Sequence, residues 1–183
     1  MKGYIILAII VLIVIYIICC YNKLVKKRII VEEAFSTMDV YLKKRFDLIP
    51  NLVETVKGYA KHESETLAKI VGLRGENYSQ MSDDEKISSS MALSREIPKI
   101  LALAEAYPDL KANQNFINLS GQLQKMEEDI ANARKYYNGA VKSYNITIQT
   151  IPTNIIAGLF HFESKKMYEV NDAKERENVH VQF

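Results

Sequence analysis

This chain has little of what disulfide scaffolds, metal sites and loop-rich folds are made of. Its 183 residues include two cysteines, seven glycines, four prolines and three histidines. The cysteines are neighbours, Cys19 and Cys20, so they cannot form a disulfide framework or a four-ligand zinc site. So few and scattered Pro and Gly argue against a β-sandwich, a collagen-like chain and a Pro/Gly-rich disordered chain. A strong charge of one sign is also missing. Lys2, Lys23, Lys26, Lys27 and Arg28 stand unopposed in residues 1–28, and the remainder carries 19 basic against 22 acidic residues. A body with that balance has no electrostatic footprint for wrapping nucleic acid.

The groupings that catalysis needs are absent too. His62-Glu63 resembles the start of a zinc-protease helix, but residue 66 is Thr where a second His is required. His161 and His180 have no companion at ligand spacing. Gly72 to Gly75 has the letters of a nucleic-acid-clamping GXXG loop without its strand or basic surround, and a helix C-terminus explains those glycines better. The acidic runs at Glu32-Glu33, at 83–85 and at 127–129 read as solvated helix surfaces or caps. Asn77, Asn118 and Asn145 begin glycosylation-type triplets that a cytoplasmic body would leave unused. The chain therefore reads as no enzyme, with no cofactor and no metal.

What is present begins with an apolar run. Tyr4 to Tyr21 is eighteen residues without a charge; as a helix it spans roughly 27 Å, close to a hydrocarbon core of about 30 Å. Tyr4 and Tyr21 stand at its ends, where amphipathic rings favour the headgroup level. A cleaved signal peptide needs small residues before its cleavage site, and a lipoprotein-type site at Cys19 or Cys20 has Ile17 and Ile18 in the way. The reading is an uncleaved single-pass anchor over 1–22. Lys23, Lys26, Lys27 and Arg28 follow it directly, so the positive-inside rule puts the body in the cytoplasm and the short N-terminus outside. That cluster serves as a topology signal, or as a collar on anionic headgroups. Both cysteines are expected reduced; palmitoylation is chemically open to them.

Beyond the anchor, apolar residues recur with a 3.5-residue period. The first series is Val31, Phe35, Met38, Leu42, Arg45, Ile49, Leu52, Val56 and Tyr59, with one polar member among nine. Its phase extends back through Leu24, so anchor and stalk are expected to be one helix, reaching to about 73. Pro50 interrupts it and predicts a kink near 46–49. Ser82 to Glu85 has the form of a capping box and starts a second helix over 83–106, with Ile87, Met91, Ser94, Ile97, Leu101 and Ala104 as its stripe and Pro98 an awkward interior residue. Asn113 or Asn115 caps a third helix over 115–151, with the seam Phe116, Leu119, Leu123, Met126, Ile130, Ala133, Tyr137, Ala140, Tyr144, Thr147 and Ile151. A body stretch of roughly 75 Å against roughly 55 Å leaves seams uncovered in one chain. Phe35, Met38, Leu42, Ile49, Leu52, Val56, Leu123, Met126 and Ile130 are accordingly expected to mediate self-association into a homo-oligomer.

Some polar residues sit where apolar ones are expected. Arg45 occupies a seam and must find a carboxylate or carbonyl or bend to water. Asp47 and Asn51 flank Pro50. Tyr137-Asn138 and Tyr144-Asn145 repeat at seven residues and share a helix face. They read as a buried ladder setting helix register, or as a ligand or partner site. The segment 153–183 begins with an apolar cluster around Asn154 to Glu163, which could dock on the bundle, join a subunit contact or touch a membrane, and it ends in a charged tail.

These residues carry a family likeness. Tyr21-Asn-Lys-Leu-Val25, Arg45-Phe-Asp-Leu-Ile-Pro-Asn-Leu-Val53, Glu105-Ala-Tyr-Pro-Asp-Leu-Lys-Ala-Asn113, Ala133-Arg-Lys-Tyr-Tyr-Asn138 with Tyr144-Asn145, and Phe160-His-Phe162 resemble the bacterial LemA family, in order and over almost the whole chain. The resemblance implies an all-helical protein with one N-terminal transmembrane helix, a long-helix bundle and no established enzymatic activity. Pro98 departs from the usual pattern of that family's second helix. The expected architecture is all-α: a transmembrane helix continuing into three long antiparallel helices, 24–73, 83–106 and 115–151, within a body of 23–152. The expected role is a self-associating scaffold on the bacterial inner membrane, or an adaptor for a membrane protease or envelope-maintenance partner. Its expected partners are lipid, copies of itself and a membrane protein.

Overall fold

A computed structural model describes residues 1–60, 63–73 and 77–169. His62, part of the Gly72–Gly75 turn, and the charged tail with His180 lie outside the described residues. Among the described residues the regular structure is helical. The helices are α1 (Lys2–Lys57), α2 (Ser64–Leu73), α3 (Asp83–Ala106), α4 (Pro108–Lys111), α5 (Gln114–Gln149) and α6 (Thr153–Leu159), with a 3₁₀ turn at Tyr78–Gln80.

The apolar run and the stalk are one helix, as the continuous phase predicts. α1 is helical for 56 residues, through Pro50. It leaves helix at Gly58, not near 73, where glycine costs about 1 kcal/mol relative to alanine in a helix interior. The early stop has a packing reason. From Tyr21 to Lys57 α1 measures roughly 55 Å and α5 roughly 54 Å, so the two now match. Reversing after 57 also brings Leu67 and Ile70 back over Val53 and Val56, and all four are fully buried.

The expected three antiparallel helices become four segments. Lys86 on α3 pairs with Asp39 on α1, and Ser90 and Ser94 meet Arg45, so α3 climbs in the same direction as α1. α2 descends between them and α5 descends from the far end, with Lys27 on α1 donating to Ser143 near its foot at 2.8 Å. α3 starts on the expected capping box, with both Ser82 and Glu85 hydrogen bonds formed. Of its expected stripe Ile87, Ile97 and Ala104 are buried; Ser90, Leu93, Glu96 and Ile100 join them, while Ser94 is exposed and Met91 and Leu101 are half-buried. A serine buried to serve an arginine hides that stripe from a hydropathy count. Asn113 caps α5, accepting from Phe116 N–H, and its amide donates to Tyr59 Oη at 2.8 Å.

The α1 seam is closed inside the one chain. Phe35, Met38, Leu42, Ile49, Leu52 and Val56 are buried, as are Leu123 and Ile130, and Met126 is half-buried against the same core. The expectation that these residues lie free for self-association is therefore corrected, because α5, the folded-back α2 and the C-terminal segment cover them. Near its end the α5 seam moves from Thr147 and Ile151 to Val141 and Ile148. A straight helix drifts about 20° per heptad against a 3.5 repeat.

Candidate functional site

Two polar constellations and the end of the body beside the apolar run gather the residues singled out in the sequence. The first is built on Arg45, whose side chain is fully buried. Its Nη1 donates to Glu127 Oε1 at 2.7 Å and to Ser94 Oγ at 2.8 Å, and its Nη2 donates to the Ser90 carbonyl at 2.8 Å and to Ser90 Oγ. The Ser90 hydroxyl is in turn bonded to Tyr168 Oη. One guanidinium thus ties α1 to α3, α5 and the C-terminal segment. A buried charge of this kind is tolerable only because a carboxylate and carbonyl stand around it. Asp47 and Asn51 take no part: Asp47 is exposed and pairs with Lys43 at 2.7 Å, and Asn51 faces solvent. A second knot sits a turn lower, where Tyr78 Oη donates to Asp39 at 2.6 Å and Lys86 pairs with the same carboxylate at 3.0 Å. Burial and that carboxylate push the Tyr78 hydroxyl far above its ordinary pKa.

The second constellation is the Tyr-Asn repeat of α5, and its target is backbone. Asn138 Nδ2 donates to the Tyr168 carbonyl and its Oδ1 accepts from Tyr168 N–H; Asn145 makes the same pair with Lys165. Tyr137 Oη donates to the Lys166 carbonyl and Tyr144 Oη to the Glu163 carbonyl, each at 2.9 Å. The spacing follows from geometry. Seven helical residues advance about 10.5 Å, and three extended residues advance about 10 Å. The repeat therefore holds the C-terminal segment antiparallel to α5, as a strap. Burial pushes the Tyr137 hydroxyl up to about 12, with Asp83 and Asp84 adding to it, and burial raises Tyr144 as well. A ladder setting helix register is the expectation; the hydrogen bonds of the Tyr-Asn pairs run instead to the C-terminal segment, which they hold as a strap.

α6 feeds the strap. Phe162 N–H donates to the Ala157 carbonyl and His161 N–H to that of Gly158, with His161 at φ 55°. This is a Schellman turn carrying histidine where glycine is usual. It brings Phe160 and Phe162 to 4.8 and 5.8 Å from the Tyr21 ring, and lays Arg28 over Phe162 at 5.3 Å. The basic cluster accordingly divides. Lys27 and Arg28 are engaged with the body, whereas Lys23 and Lys26 are exposed without an ion pair among the described residues. Tyr4 is exposed. The large apolar residues from Ile5 to Tyr16 are exposed on every side of α1, which makes this the one described helix long and apolar enough to cross a membrane.

Sequence reasoning missed Glu127, Ser90 and Ser94 as partners of Arg45, and Tyr168 as the partner of Ser90. Glu127 follows the seam residue Met126 directly, and that adjacency was the available signal. Between α3 and α5 lies a groove of about 510 Å³ lined by Pro98, Leu101, Ile117 and Gly121, with Ser94 and Glu127 of the arginine knot among its walls. Among the described residues no three of His, Cys, Asp and Glu stand where they could hold a metal ion.

Comparison with known proteins fits this geometry. The sequence profile of the LemA family matches residues 34–183. The chain belongs to the LemA family. It is 29% identical over 141 residues to Protein LemA of Metamycoplasma hominis, an alignment covering 74% of this chain and 63% of that protein. It is also 29% identical over 75 residues to Magnetosome proteins MamQ 1 and MamQ 2 of Paramagnetospirillum magneticum, covering 41% of this chain and 28% of theirs. The chain thus spans under two thirds of the length of these relatives. The LemA match takes in the Arg45 knot, the Tyr-Asn clamp and the strap, and begins beyond the apolar run.

Proposed function

We propose that this LemA-family chain is a non-enzymatic, single-pass adaptor of the bacterial inner membrane, with its N-terminus outside and its helical body presented in the cytoplasm to a membrane-protein partner. The observation that carries this reading is the internal closure of the seams: Phe35, Met38, Leu42, Ile49, Leu52, Val56, Leu123 and Ile130 are all buried in one chain. With the seams consumed, the outer faces of the rod remain for recognition. A body continuous with its anchor holds those faces at a fixed height above lipid. The reactive-looking groups, Arg45 and the Tyr-Asn pairs, are engaged in holding the chain together. A protease or envelope-maintenance complex is the class of partner in view, and the orientation rests on Lys23, Lys26, Lys27 and Arg28 following the span.

A second reading, the self-associating scaffold, is favoured by a different observation. The anchor residues Ile5 to Tyr16 are bare of any partner helix, so copies of α1 could gather in lipid although the body seams cannot. Mass and composition of the full-length complex in mild detergent separate the two. The adaptor reading expects one copy of this chain with a stoichiometric second protein. Complexes of this chain alone favour the scaffold, and a solitary chain in every extract counts against both.

A further inference from the structure

The turn that joins α5 to the strap is apolar and largely exposed on its outer face. Ile146 to Phe162 is seventeen residues without a Lys, Arg, Asp or Glu, in a chain of which 25% is charged. The fold uses only part of its apolar surface. Thr153, Ile156 and Ala157 face the bundle and are buried. Ile155 and Leu159, four apart on α6, form the opposite row and are each 66% exposed, with Phe160 beside them at 45% and Ile151, in the turn before α6, at 77%. Contiguous large apolar side chains left in water on a soluble body mark a contact surface.

The position of this row decides its occupant. Phe160 touches Tyr21, the residue that closes the apolar run of α1, with ring centroids 4.8 Å apart. Where α1 leaves lipid, α6 is already alongside it. Exposed Lys23 and Lys26 flank the same level and suit phosphate headgroups. A short apolar segment bordered by aromatic rings and cations, and too short to span, lies in the interface plane. We propose that Ile151, Ile155, Leu159 and Phe160 insert into the headgroup–acyl boundary of the leaflet from which α1 emerges. The body would then be attached at two points, α1 and the α5–α6 turn, which fixes its tilt and its rotation about α1. The Tyr-Asn clamp acquires a purpose under this arrangement: the strap pulls the turn against Tyr21 and holds it at lipid height.

This inference rests on the anchor reading, and the experiment separates their failures. The chain contains no tryptophan, so single-Trp variants of the full-length protein report one site each. Ile155→Trp and Ile151→Trp probe the row, Ile10→Trp probes the span, and Ile117→Trp probes the exposed far end of α5. Each is reconstituted in phosphatidylcholine/phosphatidylglycerol vesicles and read by aqueous iodide quenching and by brominated-lipid quenching, with helical content checked by circular dichroism. For both row variants the expected result is blue-shifted emission, loss of iodide quenching and quenching by shallow brominated lipid; Ile117→Trp should show the reverse. If Ile10→Trp is quenched by lipid while both row variants are quenched by iodide like Ile117→Trp, the second contact is overturned and the anchor stands. If the row variants escape both quenchers, protein covers the row and the proposal fails in favour of a protein–protein contact. If Ile10→Trp also escapes lipid quenching, the anchor reading falls with it.

Discussion

Below Arg45, α1 is held by α5 on one side and by a backbone strap fastened through side-chain hydrogen bonds; beyond Ile49 it is held by an apolar cluster drawn from α2, α3, α4 and α5. The lower half contains Asn138, Asn145, Tyr137 and Tyr144, all spending polar groups on the backbone of 163–168. The upper half contains Leu52, Val53, Val56, Leu67, Ile70, Ile100 and Leu110, every one fully buried, and its polar links, Asn113 to Tyr59 and Lys69 to Glu96, join side chains to one another rather than gripping backbone. Apolar packing is short-ranged but shared among many neighbours, so the upper half should yield only cooperatively. A clamp of separate hydrogen bonds can be opened locally, so the strap should release before the bundle does. The contrast is between a lid of oil and a row of fasteners, with Arg45 at the seam between them.

The largest expected effect is at that junction. Arg45→Ala leaves Glu127 and the Ser90 carbonyl without their cation, and breaking a buried pair typically costs about 3–5 kcal/mol; Glu127, 34% exposed, can rehydrate, which favours the low end. Urea unfolding of the reconstituted chain reads this loss, and a wild-type midpoint would show that the knot holds nothing. Leu52→Ala comes next, at about 2–5 kcal/mol for a buried leucine cavity. It should lower global stability, as seen in hydrogen exchange that rises together in α1, α3 and α5, and exchange confined to one helix would break the contrast. Asn138→Ala should cost about 1–2 kcal/mol for its paired bonds. Here exchange should rise in 163–168 with little change at Leu52, and equal rises in both places would make the clamp part of one cooperative core.

Alkaline pH sharpens the comparison without mutation. The Tyr137 hydroxyl is raised from 10.0 to about 12. A raised pKa means the neutral, donating form is favoured in the fold. Its contribution is therefore complete below pH 10 and is lost as pH climbs towards 12. Tyrosinate absorbance should rise in that window together with proteolytic access to the strap, and strap release at neutral pH would sink this assignment. The smallest effect belongs to α3's cap. Ser82→Ala should cost about 1 kcal/mol. Its partner Glu85 has a carboxyl held below the ordinary value by the Ser82 backbone N–H and hydroxyl. The cap's contribution is thus present above the usual carboxylate pKa and falls away as pH drops through the lowered one. Ser82→Ala keeps the backbone N–H and should retain part of that acid sensitivity, whereas Glu85→Gln should lose it, and a wild-type profile in Glu85→Gln would show that the cap is not its source.

Which features could be read in the sequence follows from where the information is stored. The α1 seam was legible because successive side chains each carry the signal, and Ser82-Asp-Asp-Glu85 because a cap is written in its own letters. The break at Gly58 was not, since Ala60, Leu67 and Ile70 keep an apolar pattern whether the helix runs on or folds back. Arg45 announced itself as the polar member of a seam, but Glu127 looked like any acid in a surface run. Tyr137-Asn138 and Tyr144-Asn145 were visible as a ladder. Their target was not, because an amide that reads backbone N–H and C=O leaves no mark on the side chains of Glu163 to Tyr168. For the same reason the closure of the seams required three dimensions.

The central claim is that α5 closes the α1 seam within one chain. It is tested most directly with the full-length protein in membranes, carrying Lys27→Cys and Ser143→Cys in a Cys19→Ser, Cys20→Ala background and treated with a short bis-maleimide. Lys27 Nζ and Ser143 Oγ are 2.8 Å apart in the fold, so the account predicts a link inside each chain and no mixed product between two differently tagged copies. Efficient linkage of one tag to the other through this pair would contradict it, and would return the seams to the task of joining copies.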